Sequence, residues 1–131
     1  MYSTTRMSTW RKQNNEERDK IELLQGTLDM LILRTLLFGR AHGHAIAHAI
    51  ERGSEDVLQI EHGSLYPALH RLVKQRFIAA AEGLSENNRK AKFYSLTTKG
   101  RKHLAAENSK WERLAQAIGR IMQPSTEESQ S

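Results

Sequence analysis

A chain of 131 residues with a formal charge of +5, 38% hydrophobic residues and no cysteine has room for one domain with a modest core. Without cysteine there is neither a disulfide framework nor a thiolate metal site. No apolar run approaches the ~20 residues that cross a bilayer, and none has the form of a signal peptide, so a soluble cytoplasmic protein with no membrane partner is expected.

Residues 1–20 are polar with isolated apolar side chains. They read as a flexible N-terminal arm, with helical character setting in near residues 16–24. A first helix is predicted from Thr27, its N-cap, to Phe38, with a stop at Gly39. Leu28, Leu31, Ile32 and Leu36 share one face and Met30, Leu33 and Leu37 another, so this helix must be covered on both sides. A second helix, residues 44–52, buries Ile46, Ala49 and Ile50. Its outer face carries His44 and His48 one turn apart, with His42 just before. That spacing suits metal chelation, but no carboxylate stands as an obvious third ligand within the helix, although Glu51 is near, and no metal site is assigned.

Residues 63–72 predict a third helix. Leu65, Leu69, Leu72 and Val73 recur at helical spacing and bury one face. Tyr66, His70 and Lys74 fall on the other, with Pro67 and Arg71 beside them. Ser64 suits the N-cap, and Pro67 is expected in the first turn. The N-terminal end of such a helix offers free N–H donors and a positive dipole to phosphate.

Two short segments follow, 77–82 and 92–96, separated by the polar loop 83–90, which is a hairpin signal. Alternation puts Tyr94 and Leu96 on one face of the second strand and Phe93 and Ser95 on the other. Three helices and then a hairpin with a basic tip is the order of a winged helix-turn-helix. From Arg71 to Lys102 nine basic residues face two acidic ones, a net +7 in a chain of +5 overall. Positive charge gathered on one helix and one hairpin points to double-stranded DNA as partner.

A final helix is predicted after Thr97, its N-cap, reaching residue 122. Leu104, Trp111 and Ile118 are spaced by sevens, with Leu114 and Ile121 between, an a/d seam broken at Glu107. The helix is too short and polar to stand alone, so it is expected to pack against helix one and against the same helix of a second copy. Residues 123–131, with Pro124 as a stop, read as a flexible tail.

Four runs in this order resemble the PadR family of transcriptional regulators, in its short form with one C-terminal dimerisation helix. They are Leu-Gln-Gly-Thr-Leu-Asp-Met-Leu-Ile-Leu from Leu24, His-Gly-His-Ala-Ile from His42, Gly-Ser-Leu-Tyr-Pro-Ala-Leu-His-Arg-Leu from Gly63, and Lys-Phe-Tyr-Ser-Leu-Thr-Thr-Lys-Gly-Arg from Lys92. The resemblance implies a homodimeric repressor of palindromic operators, relieved by a small hydrophobic or aromatic effector. It departs at His44, where the family commonly carries an aromatic residue, usually tyrosine. The expected fold is mainly α (α+β). Residues 21–97 form the winged helix-turn-helix DNA-binding domain and 98–122 the dimerisation helix.

The candidate DNA-binding residues are His44, Ser64, Tyr66, Pro67, His70, Arg71, Lys74, Arg89, Lys90 and Lys92, with His70 and Arg71 reading base edges and Arg89 and Lys90 clamping the backbone. The candidate dimer interface is Leu33, Leu37, Leu104, Trp111, Leu114, Ile118 and Ile121, with an effector space between helix one and the final helix near Trp111. No phosphate loop, metalloprotease motif or nucleophile elbow is present, so no enzyme activity and no cofactor is expected. Two alternatives remain at this stage, a metal sensor using His42, His44 and His48 and a winged helix that binds protein.

Overall fold

The computed structural model describes residues 25–124. The N-terminal arm, its predicted helical onset and the tail beyond residue 124 lie outside the described residues. The elements are α1 (Gln25–Leu36), β1 (Ala41–His42), α2 (Gly43–Gly53), α3 (His62–Lys74), β2 (Ile78–Leu84), β3 (Lys90–Leu96) and α4 (Thr98–Met122). The strands form one antiparallel sheet in the order β1-β3-β2. This is the expected mainly helical winged helix, with β1 as a third strand that two residues alone did not announce.

The core is built from the apolar periods of the helices and one face of the sheet. Leu28, Ile32, Leu33 and Leu36 of α1 meet Ile46 and Ile50 of α2, Leu65, Leu69 and Leu72 of α3, and Ile78 and Tyr94 of the hairpin. Each such aliphatic side chain contributes about 1.5–3 kcal/mol when fully buried. In α2 it is Ala47 that is buried, while Ala49, expected inside, is exposed. Leu33 is wholly covered (0% exposed) by its own chain.

Helix starts show where local preference is overruled. At Gln25 α1 is already helical, so Thr27 lies within it and is not its cap. The N-cap of α2 is His42, whose Nδ1 accepts from the Ala45 N–H at 3.2 Å. The start of α3 is a correction: it begins at His62, with Glu61 as N-cap and no side-chain cap bond. The Glu61 carbonyl accepts from the N–H groups of Ser64 (3.0 Å) and Leu65 (2.9 Å), so Ser64 sits inside the first turn and Pro67 in the second. The ring there opposes the Gly63 carbonyl, and both residues face water. A solvated carbonyl can tilt outward, which lowers the cost of proline inside a helix.

Arg76 ends α3 in the left-handed region (φ 66°). Its N–H donates to Val73 and that of Phe77 to Leu72, the paired bonds of a Schellman cap. The hairpin runs longer than its polar composition suggested, with Gly83, Leu84 and Lys90 still in the ladder. Thr97 caps α4 as expected, its Oγ1 accepting from the Gly100 N–H at 2.9 Å and donating to the Arg76 carbonyl at 2.8 Å. In the 25 residues of α4 the buried ones are Gly100 and Leu104, so most of this helix stands away from the core.

Candidate nucleic-acid interface

One face of α3 is committed to the core through Leu65, Ala68, Leu69 and Leu72. Gly63, Pro67, His70 and Lys74 follow the opposite face and are exposed. Tyr66 occupies one flank, packed so closely on α2 that a Cβ added at Gly43 would stand 3.0 Å from its ring. Beside it lies buried Tyr94, whose phenol is pushed above its ordinary value by burial and then by neighbouring Tyr66.

The flank continues as a row of rings. His62 stacks on Tyr66 (centroids 5.8 Å apart), His44 on His62 (6.4 Å) and His42 on His44 (6.5 Å). His44 and Tyr66, predicted on separate helices, are thus joined in one surface through His62. The sequence reading missed His62, although its position one turn before Tyr66 was a usable signal. It also missed Arg40, whose guanidinium lies 4.7 Å over the Phe93 ring on the outer side of the sheet.

The other flank carries a second correction. Arg71 does not stand beside His70 facing out; its Nη2 donates to the Asp29 Oδ1 of α1 at 3.1 Å. Burial raises the Asp29 carboxyl above its ordinary value of 3.8, outweighing the pull of Arg71. A carboxyl raised in the folded state favours folding at low pH and loses that advantage as pH climbs through the raised value. Asp29→Asn is therefore expected to be at least as stable as the parent at pH 7, with its relative gain shrinking as pH is lowered toward 3.8. Arg71→Ala leaves the half-covered carboxylate without its donor and should cost about 1 kcal/mol at pH 7. Thermal melts of both variants at pH 7 and pH 4 check this; an Asp29→Asn protein markedly less stable at pH 7 would contradict it.

The wing tip holds Arg89, Lys90 and Lys92, all exposed. Lys92 lies across the ladder from Glu82, and Lys90 across from Leu84. An outward helix face beside a basic hairpin is the geometry of a groove-binding winged helix.

The model of the PadR-like family of transcriptional regulators matches residues 32–106, from within α1 to the first turns of α4. The chain belongs to this family. A transcriptional regulator from Clostridium thermocellum is 26% identical, with a TM-score of 0.68 over 75% of this chain and 95% of that one. A Streptococcus mutans protein is 25% identical, with a TM-score of 0.69 over 77% and 91%. A PadR-like regulator from Bacillus cereus, at 24% identity, shares the fold with a TM-score of 0.67 over 78% and 97%. A Lysinibacillus sphaericus protein is 28% identical over 102 residues, covering 78% of this chain and 94% of its own.

This PadR-like protein is therefore a DNA-binding transcription regulator. Among its described residues no helix is long and apolar enough to cross a membrane. Among the described residues no group of three or more His, Asp or Glu is placed to hold a metal, and the Nδ1 of His42 is engaged as a helix cap. Of the residues predicted for dimerisation, Leu33 and Leu104 are core residues of one chain and do not lie on its surface. Leu37 is half-buried, while Trp111, Leu114, Ile118 and Ile121 are exposed along α4. Between α1 and α4 lies an open groove of about 650 Å³, lined by Leu31, Arg34, Leu37, Arg101, Leu104 and Trp111 among others.

Proposed function

We propose that this protein is a homodimeric repressor of a palindromic operator, acting in the cytoplasm. Residues 21–97 serve as the DNA-binding domain and 98–122 as the dimerisation helix. The observation that carries the reading is the exposed Gly63, Pro67, His70 and Lys74 face of α3 lying in the same unit as a basic wing. Placed in the major groove, this face presents Pro67 and His70 to base edges and Lys74 to phosphate or base. Ser64 and Tyr66 flank it toward the backbone, with His44 carried alongside by the row of rings. Arg71, held by Asp29, positions α3 on α1 and reads bases only if that pair opens. Arg89, Lys90 and Lys92 clamp the backbone beside the half-site.

The exposed seam of Trp111, Leu114, Ile118 and Ile121 supports pairing with a second copy, which presents two α3 helices about one helical turn of DNA apart. The α1–α4 groove supports a small hydrophobic or aromatic effector stacked on Trp111. It would release DNA by favouring a different angle between the subunits.

A gel-shift titration on DNA upstream of the protein's own gene tests the reading, with random DNA as competitor at two salt concentrations. Competitor-resistant binding with a dimer-sized footprint is expected. Lys90→Ala should weaken operator and random DNA alike and flatten the salt slope by about one. Equal, salt-erased binding to both DNAs would reject operator recognition.

A further inference from the structure

The core-facing alternation of the hairpin continues past the end of the core. Ile78, Ala80, Glu82 and Leu84 of β2 pair with Leu96, Tyr94, Lys92 and Lys90 of β3, so one face runs from buried Ile78 and Tyr94 to the wing tip. At that tip Leu84 is 61% exposed, an aliphatic side chain with no apolar neighbour across the ladder, since its partner is Lys90. Arg89 precedes Lys90 at the turn, and Lys92 lies diagonally across on the same face, opposite Glu82. A lone exposed leucine needs no explanation on most surfaces; one set directly opposite a lysine at the tip of a basic wing does.

The tip is stiff because the loop closes on itself. The Ser85 N–H donates to the Arg89 carbonyl at 2.8 Å, the Asn88 N–H to the Ser85 carbonyl at 2.8 Å, and the Arg89 N–H to the Ser85 Oγ at 3.3 Å. Asn88 takes the left-handed conformation (φ 62°) that this closure needs, and asparagine adopts it at low cost. Leu84 is thus presented on regular strand backbone immediately before a tied turn.

We propose that Leu84 is a minor-groove wedge, inserted from the wing between base steps at the edge of each half-site. The inference rests on the DNA-binding reading above. The minor groove is a surface whose chemistry matches both parts of the tip. Phosphates line its two rims, within reach of Arg89, Lys90 and Lys92, and its floor of sugar and base edges receives an apolar side chain. Such wedges partly unstack a step and bend the duplex. Pyrimidine–purine steps unstack most readily, so Leu84 favours operators with TA or CA at that place without any hydrogen bond to a base.

The test uses the full-length protein and an operator duplex from its own upstream DNA, with 2-aminopurine placed in turn at each position flanking the half-sites. Binding of the parent should raise the fluorescence at one flanking step per half-site, and Leu84→Ser should abolish that rise. Leu84→Ser should bind about tenfold more weakly to the operator with TA at that step, and nearly as well as the parent when the step is GC. A parent that binds the operator without a fluorescence rise, or a Leu84→Ser protein within twofold of the parent on both duplexes, overturns the wedge and leaves DNA binding intact. Failure of the parent to prefer operator over random DNA overturns the parent reading and the wedge together. Leu84-dependent binding to phosphatidylglycerol vesicles, with DNA affinity unmoved by the substitution, assigns the tip to a membrane surface and also overturns it.

Discussion

Gly100→Ala is expected to lower the stability of the protein by about 3 kcal/mol or more, a fall in Tm of more than about 10 °C for a domain of this size. A Cβ at Gly100 would stand 2.0 Å from the Phe77 carbonyl oxygen, 2.9 Å from its carbon and 2.8 Å from the Leu96 Cδ1. The leucine can rotate, but the carbonyl cannot easily withdraw. It accepts from the Thr97 N–H at 3.1 Å, and the Phe77 N–H is tied to Leu72 in the α3 cap. Relief requires α4 to lift, which sacrifices the Thr97 bonds, the burial of Leu104 and the stacking of His103 on Phe77 at 4.0 Å.

Gly83→Ala supplies the control. Its Cβ would meet the Phe93 ring at 2.8 Å, but that ring lies on the outer face of the sheet and can swing away, so the expected cost is below about 1 kcal/mol. Urea or thermal melts of the two variants check the contrast. A Gly100→Ala protein as stable as Gly83→Ala would mean that α4 does not dock on Phe77 in this way. The contact also matters to function, because the end of α3 and the start of α4 are joined here, and the direction of α4 sets where a second α3 would lie.

Much of the fold was legible because it is written in local periods. The apolar spacing of α1, the helical span of α4, the Thr97 cap and the two-residue alternation of the hairpin are properties of neighbouring residues, and the structure reproduces them. What was illegible depends on residues far apart in the chain. Arg71 sits at the boundary between the buried and exposed faces of α3, where spacing does not say which way a long cation turns. Asp29, 42 positions away, decides it. Leu33 lies on a helix apolar nearly all round, and such a pattern does not say which side the chain covers itself. Ser64 is a good cap by type, but the segment before α3 is tied to α2, where the Glu51 carboxylate accepts from the Ile60 N–H at 3.1 Å. That bond helps hold the segment entering α3, and the helix begins two residues before Ser64. In the candidate site the exposed Pro67, His70 and Lys74 face and the wing cations were readable from type and spacing. The ring row through His62 and the Arg71–Asp29 pair required the packing of α3 on α2 and α1.

Ile118→Glu is expected to separate folding from assembly. Ile118 is 50% exposed in the single chain and lies beyond the last buried residue of α4, Leu104, so a charge there removes little that one chain needs. In the proposed dimer it meets its own symmetry mate or a neighbour on the same seam. Two carboxylates would then face each other across an apolar contact, and neither finds a partner there. Sedimentation should show a shift from dimer to monomer at micromolar concentration. Operator affinity should fall by about 100-fold or more, because the second half-site is no longer engaged at the effective concentration supplied by the first. Affinity for random DNA should fall far less, since the +7 segment of each chain is untouched. Far-UV circular dichroism should still report a helical fold, which distinguishes lost assembly from unfolding. An Ile118→Glu protein that remains dimeric and keeps full operator affinity would show that the seam of Trp111, Leu114, Ile118 and Ile121 does not join two copies. A loss of operator and random binding in equal measure would instead mean that α4 supports the DNA-binding unit within one chain.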